Sequence, residues 1–125
     1  MKNYKELNVW NKGIEIVKAT YQLSKQIPSE EKYVLISQMT RSAVSIPANI
    51  AEGSSRNSDK DYARFLQIAL GSAFELQTYF VILKEMQIGK KEDIASLENL
   101  IEEEIKMIHG FLRKLANSPK PIAIS

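Results

Sequence analysis

The chain has 125 residues, 44% of them hydrophobic, and its 17 basic and 15 acidic side chains give a formal charge of +2. That length suits one compact domain burying roughly 65 to 70% of its unfolded surface, and the near balance of charge excludes bulk electrostatics as a ground for nucleic-acid or membrane binding. The lack of cysteine removes disulfides, thiolate nucleophiles and thiolate metal sites together, and it suits a reducing, cytoplasmic compartment.

The opening "MKNYKELNVWNKG" is charged and has no apolar core of the kind a signal peptide needs. The longest apolar run, Tyr79 to Leu83, falls far short of the ~20 residues of a membrane span, so no membrane association is expected. Apolar residues recur at three- and four-residue steps almost throughout, and no stretch alternates with a period of two. The expected fold is therefore all-α, in one domain over 1–125.

The first helix is expected over about 8–27, with Pro28 ending it. It carries two adjacent apolar stripes, one of Trp10, Ile14, Val17 and Tyr21 and one of Val9, Gly13, Ile16 and Leu23. Such a face is wider than one bundle core uses, which points to packing against a second copy. The second helix is expected over 29–53, with Ser29 as N-cap and Glu30 and Glu31 at its positive end. Pro47 falls inside it. The three-four rhythm of Leu35, Met39, Ala43, Ile46, Ile50 and Gly53 passes through the proline without a slip, so a kinked but continuous helix is expected.

Small residues around the proline, including Ala43, Ser45, Ala48 and Ala51, allow a close approach to a neighbouring backbone. Gly53 is a natural helix stop and Ser58 a good N-cap for a third helix over about 58–88, closed by Gly89. The fourth helix is expected over about 92–116, burying Ile94, Leu97, Ile101, Ile105, Ile108, Leu112 and Leu115. The proline-containing tail, 117–125, is expected to be mobile. Four amphipathic helices on short connections predict an up-down-up-down antiparallel four-helix bundle with a proline-kinked second helix.

Catalytic patterns are absent. A di-metal bundle site needs Glu-x-x-His pairs, and the one histidine, His109, has Lys106 three residues before it. No arginine precedes His109 closely enough for a helical ribonuclease pair, and nothing brings it to a serine and a carboxylate. The run Glu98, Glu102, Glu103 and Glu104 reads as a solvated acidic face, because the third helix offers only the widely spaced Glu75 and Glu85 opposite it. His109 reads as a partly buried structural residue. The Gly-Ser connector before the third helix lacks the P-loop pattern, and Asp59 and Asp61 already occupy that helix end. No enzyme activity, metal, cofactor or small-molecule substrate is expected.

The blocks "LNVWNKGIEIV", "QMTRSAVSIPANIAEGSSR" and "FLQIALGSAFEL" resemble consecutive signatures of a family of four-helix bundle proteins first described as encoded within intervening sequences of bacterial 23S rRNA genes. The resemblance covers Leu7 to Leu115. A related branch comprises the accessory proteins of diversity-generating retroelements, pentameric barrels that bind nucleic acid and reverse transcriptase. The resemblance implies a four-helix protomer, a ring-shaped homopentamer and a role with nucleic acid, RNA or DNA.

Arg41, Arg56, Lys60 and Arg64 are the candidate phosphate contacts, with Lys2, Lys5, Lys12, Lys18 and Lys25 along the first helix. Tyr62, Phe65, Trp10 and Phe80 fall on apolar stripes and are expected in the core rather than stacked on bases. Asn49 and Glu52 are expected to satisfy backbone groups that Pro47 leaves open, with Arg41 in reach of Ser72 or Glu75 and Glu52 near Arg56 or Lys60. The alternative function is a protein-interaction scaffold or accessory subunit that does not touch nucleic acid.

Overall fold

A computed structural model describes residues 3–117. Its helices are α1 (Asn8–Ser24), α2 (Ser37–Ser54), α3 (Asp59–Glu85) and α4 (Lys91–Ala116). Each packs on its chain neighbour, and α4 returns to α1. Four cross-contacts fix the directions: Ser45 meets Ser72, Lys84 meets Glu98, and Gln26 meets Asp93 while Lys12 meets Glu103. Every one of these neighbours is antiparallel, as short connections require. Residue 117 caps α4, and the rest of the expected tail lies outside the described residues.

The interior is formed by the stripes the spacing marks out. Ile16, Met39, Ile46, Ile50, Leu66, Leu76, Phe80, Leu83, Ile101 and Ile108 are fully buried, and Ala43, Ala69 and Ala73 let α2 and α3 come close. Gly53 makes that approach tightest. A Cβ there would stand 2.8 Å from the Tyr62 ring and 3.0 Å from Phe65 Cβ, the second of which cannot swing away. By length and composition α3 could cross a membrane. Its Leu66, Ala69, Ala73, Leu76, Phe80 and Leu83 nonetheless form part of the core shared with the other helices, so it packs as one of the four helices of the bundle.

The boundaries differ from expectation in informative ways. α1 ends at Ser24, and the chain then turns through Lys25 to Pro28. Ser29 does not cap a helix; a 3-10 turn (Ser29–Glu31) and a five-residue π-turn (Lys32–Ile36) precede α2, and they leave Tyr33 and Val34 in solvent. α2 runs unbroken through Pro47, whose ring is buried and which has no N–H to give the Ala43 carbonyl. Ser58 does cap α3, accepting from the Asp61 N–H at 3.1 Å.

The end of α3 is not made by Gly89. Ile88 N–H donates to the Leu83 carbonyl at 2.9 Å and Gln87 N–H to that of Lys84 at 3.1 Å, a Schellman closure whose left-handed position is Gln87, φ +58°.

Two expectations about individual side chains, Glu104 and His109, are corrected. Glu104 is no part of a solvated face but is fully buried, because it stands three residues after Ile101 and four before Ile108, in the core register of α4. His109, one residue past Ile108, is exposed. On α1 the stripe of Val9, Gly13, Ile16 and Leu23 is core, while Trp10, Ile14 and Val17 are half-buried. Trp10 packs edge-on against Tyr4 of an N-terminal 3-10 turn (Tyr4–Glu6), with ring centres 5.3 Å apart, so part of the surplus apolar face is covered within the protomer.

Candidate functional site

The candidate residues lie along the seam between α2 and α3. Near its middle, Gln38, Arg41, Ser42, Ser45, Ser72 and Glu75 line a polar cleft of about 280 Å³. Its floor is a chain of hydrogen bonds: Asn49 Nδ2 donates to the Ser45 carbonyl at 2.8 Å and to Ser45 Oγ at 2.9 Å, and Ser72 Oγ donates to Ser45 Oγ at 2.8 Å. Asn49 thus bonds the Ser45 carbonyl, not that of Ala43, which is the one Pro47 leaves without a donor. The Tyr79 hydroxyl donates to Glu75 at 3.4 Å, and its pKa is raised, first by burial and then by the Glu75 charge and hydrogen bond. Arg41 is exposed and shares this cleft with Ser72 and Glu75, and it forms no hydrogen bond or ion pair with either.

The other candidates sit at the α2–α3 corner. Arg56 Nη2 donates to Glu52 Oε2 at 2.7 Å, so Glu52 serves an arginine one turn on rather than the backbone at Pro47. The Arg56 guanidinium lies 4.5 Å from the centre of the Phe65 ring, and that of Arg64 lies 5.4 Å from it. Phe65 is thus half-buried under two cations instead of fully in the core. Exposed Lys60 stands between Asp59 and Asp61 in the first turn of α3.

Arg56, Lys60 and Arg64 therefore share the corner with Glu52, Asp59 and Asp61, and local charge is balanced. Arg41 lies thirteen residues, about 20 Å at 1.5 Å per residue, before the end of α2 at Ser54, and it belongs to the cleft, not the corner where Arg56 follows the helix. Among the first-helix lysines, Lys12 pairs with Glu103 at 3.1 Å, and Lys2 lies outside the described residues.

What sequence reasoning missed is the outer face of α3. Ile68, Phe74, Val81 and Met86 are 46 to 57% exposed, and only 39% of the helix's most apolar stretch is buried. Single exposed apolar side chains are ordinary, but Phe74 and Val81, seven residues apart, stand on one side of α3 and form a small patch that calls for a partner, while Ile68 lies on the other flank and Met86 is the helix's C-cap. The signal was in the sequence: these four lie outside the stripe through Leu66, Ala69, Ala73, Leu76, Phe80 and Leu83, so α3 is apolar on more than the face that one bundle uses.

Comparison with known proteins places the chain. A crystal structure of a protein of unknown function from the S23 ribosomal protein family of Bacteroides thetaiotaomicron is 29% identical; the match covers 84% of this chain and 98% of that one, with a TM-score of 0.78. No curated protein matches. The sequence also fits the family described as 23S rRNA-intervening sequence protein over residues 5–110, which is most of the bundle including the α2–α3 seam, and the chain belongs to that family.

Proposed function

We propose that this protein is a non-catalytic, self-associating four-helix protein of the cytoplasm, assembled as a ring of five, and that the assembled ring associates with nucleic acid, in the first place RNA. The observation that carries the reading is the exposed apolar pair Phe74 and Val81 on the outer side of α3. Covering a half-exposed Phe, Ile, Val or Met yields roughly 1 kcal/mol each, so a contact built on this face is modest alone and gains from ring closure, in which each subunit makes two contacts. The pentamer and the nucleic-acid role draw further support from the family resemblance.

The corner arginines are the contact that such a ring would repeat. Arg56 is held against Phe65 and Glu52, and its exposed ion pair is worth at most about 1 kcal/mol. A phosphate can therefore replace Glu52 at little loss. Repetition around the ring supplies avidity to a weak individual contact. Binding of this kind falls steeply with salt and reads little sequence.

The second reading, a scaffold for another protein without nucleic-acid contact, is favoured by the same corner, where Glu52, Asp59 and Asp61 already balance its cations. Fluorescence anisotropy with labelled single-stranded RNA and DNA over a salt series separates the two. The nucleic-acid reading expects affinity that drops with salt and is abolished by joint Arg56→Glu and Arg64→Glu substitution with the ring intact. No binding at low salt, or binding that the double variant retains with the same salt slope, rejects it.

A further inference from the structure

Glu104 is the one acidic side chain in the described core. It is fully buried on α4, and neither carboxyl oxygen has a hydrogen-bond partner. The opposing helices are shaped around it. A Cβ on Gly13 of α1 would stand 3.2 Å from Glu104 Oε2 and 3.2 Å from Cβ of Pro47 on α2, so the glycine leaves the space in which carboxyl, proline ring and α1 backbone meet.

The charge bearing on this group is Lys12, next to Gly13 on α1, while α2 presents the uncharged Pro47. Lys12 is already engaged: its Nζ donates to Oε1 of Glu103, the residue beside Glu104, at 3.1 Å. Burial raises the Glu104 pKa and Lys12 lowers it; burial prevails, and the group titrates at about 8. A carboxyl in such a place stays neutral until the proton leaves, and the ionised form then requires a counter-charge.

We propose that Glu104 and Lys12 form a proton-operated latch between α1 and α4. With Glu104 protonated, Lys12 rests on the exposed Glu103 and the helices close over a neutral side chain. When the proton passes to solvent, the Lys12 ammonium leaves Glu103 for Glu104. The contact through Gly13 then loosens, because the charged carboxylate draws in both the lysine and water. Lys12 already acts on Glu104 from its place on Glu103, so the exchange needs a side-chain swing and no change of fold.

The test is a carboxyl-carbon NMR titration of the intact protein, with Glu104 assigned by comparison with Glu104→Gln. The expected midpoint is near 8 in the wild type, and an ordinary midpoint near 4.5 overturns the proposal. Glu103→Gln releases Lys12 and lowers the midpoint by about one unit or more, Lys12→Met raises it, and in the Lys12→Met background the Glu103→Gln effect shrinks to the small direct effect of removing a neighbouring negative charge. A Glu103→Gln effect that keeps its full size without Lys12, or no effect at all, overturns the exchange. Amide exchange around Gly13 and from Ile101 to Ile108 should accelerate between pH 7 and pH 9 beyond the ordinary base-catalysed rise in the wild type and not in Lys12→Met/Glu103→Gln or Glu104→Gln. The same acceleration in Glu104→Gln refutes the loosening.

Discussion

Replacing Glu104 by glutamine keeps the shape of the side chain and removes its titration, so it isolates the stability cost of a buried acid. The carboxyl is carried from its ordinary 4.5 to about 8 in the folded protein. Below pH 4.5 it is neutral whether the chain is folded or unfolded and contributes no pH dependence. As pH rises from 4.5 towards 8 the unfolded chain gives up this proton and the folded chain keeps it, so stability falls at about 1.4 kcal/mol per pH unit.

The accumulated cost is roughly 3 kcal/mol at pH 7 and up to roughly 5 kcal/mol above pH 8, where both states are ionised and the curve flattens. The glutamine variant lacks this slope, and its buried amide bears the same kind of cost that the neutral carboxyl, itself without partners, bears near pH 4. It should therefore be close in stability to the wild type near pH 4 and more stable above pH 8. The difference in Tm opens on the way, by a total of about 10 °C or more at ~3–5 °C per kcal/mol for a chain of this size. Thermal unfolding followed by circular dichroism at constant ionic strength, with both proteins measured from pH 4 to pH 9, reads that difference directly. Curves that run parallel across the whole range would refute the argument.

Other substitutions probe the seam and the helix ends. Gly53→Ala forces a Cβ to 3.0 Å from Phe65 Cβ and should destabilise by about 1–3 kcal/mol in a denaturant titration. Gln87→Gly relieves a left-handed residue, φ +58°, at the end of α3 and should stabilise by about 1 kcal/mol, visible as a higher midpoint at unchanged m-value. Asn49→Ala removes two hydrogen bonds to Ser45 and should cost about 1–2 kcal/mol, whereas Glu52→Gln weakens only an exposed pair with Arg56 and should cost less than about 0.5 kcal/mol. Equal losses for Asn49 and Glu52 would contradict the separate roles assigned to them.

The four helices and most of the core were legible in the sequence because three-four spacing reports the buried face directly, and Ile16, Ile50, Leu76 and Ile101 lie where that spacing puts them. Ser58 was legible as a cap for the same local reason, a hydroxyl three residues before an unpaired N–H. The π-turn before α2 and the Schellman closure at Gln87 were not. Each depends on how the connector must aim the next helix, which is tertiary information. At Glu104 composition and register disagree: a run of glutamates suggests solvent, yet the step from Ile101 to Ile108 passes through it, and register prevails. At the candidate site, the sequence showed which cations are near in the chain but not their partners, and the length of α2 between Arg41 and Ser54 separates Arg41 from Arg56 in the connector.

The claim at the centre of this account is that the outer face of α3 joins copies of the chain. Size-exclusion chromatography with light scattering at micromolar concentration tests it on the wild type and on a Phe74→Glu, Val81→Lys double variant, both substitutions being at exposed positions. The account predicts a wild-type mass about five times the 14.2 kDa protomer, and a folded protomer for the variant. A wild type that elutes at 14.2 kDa, or a variant that keeps the wild-type mass, would contradict it.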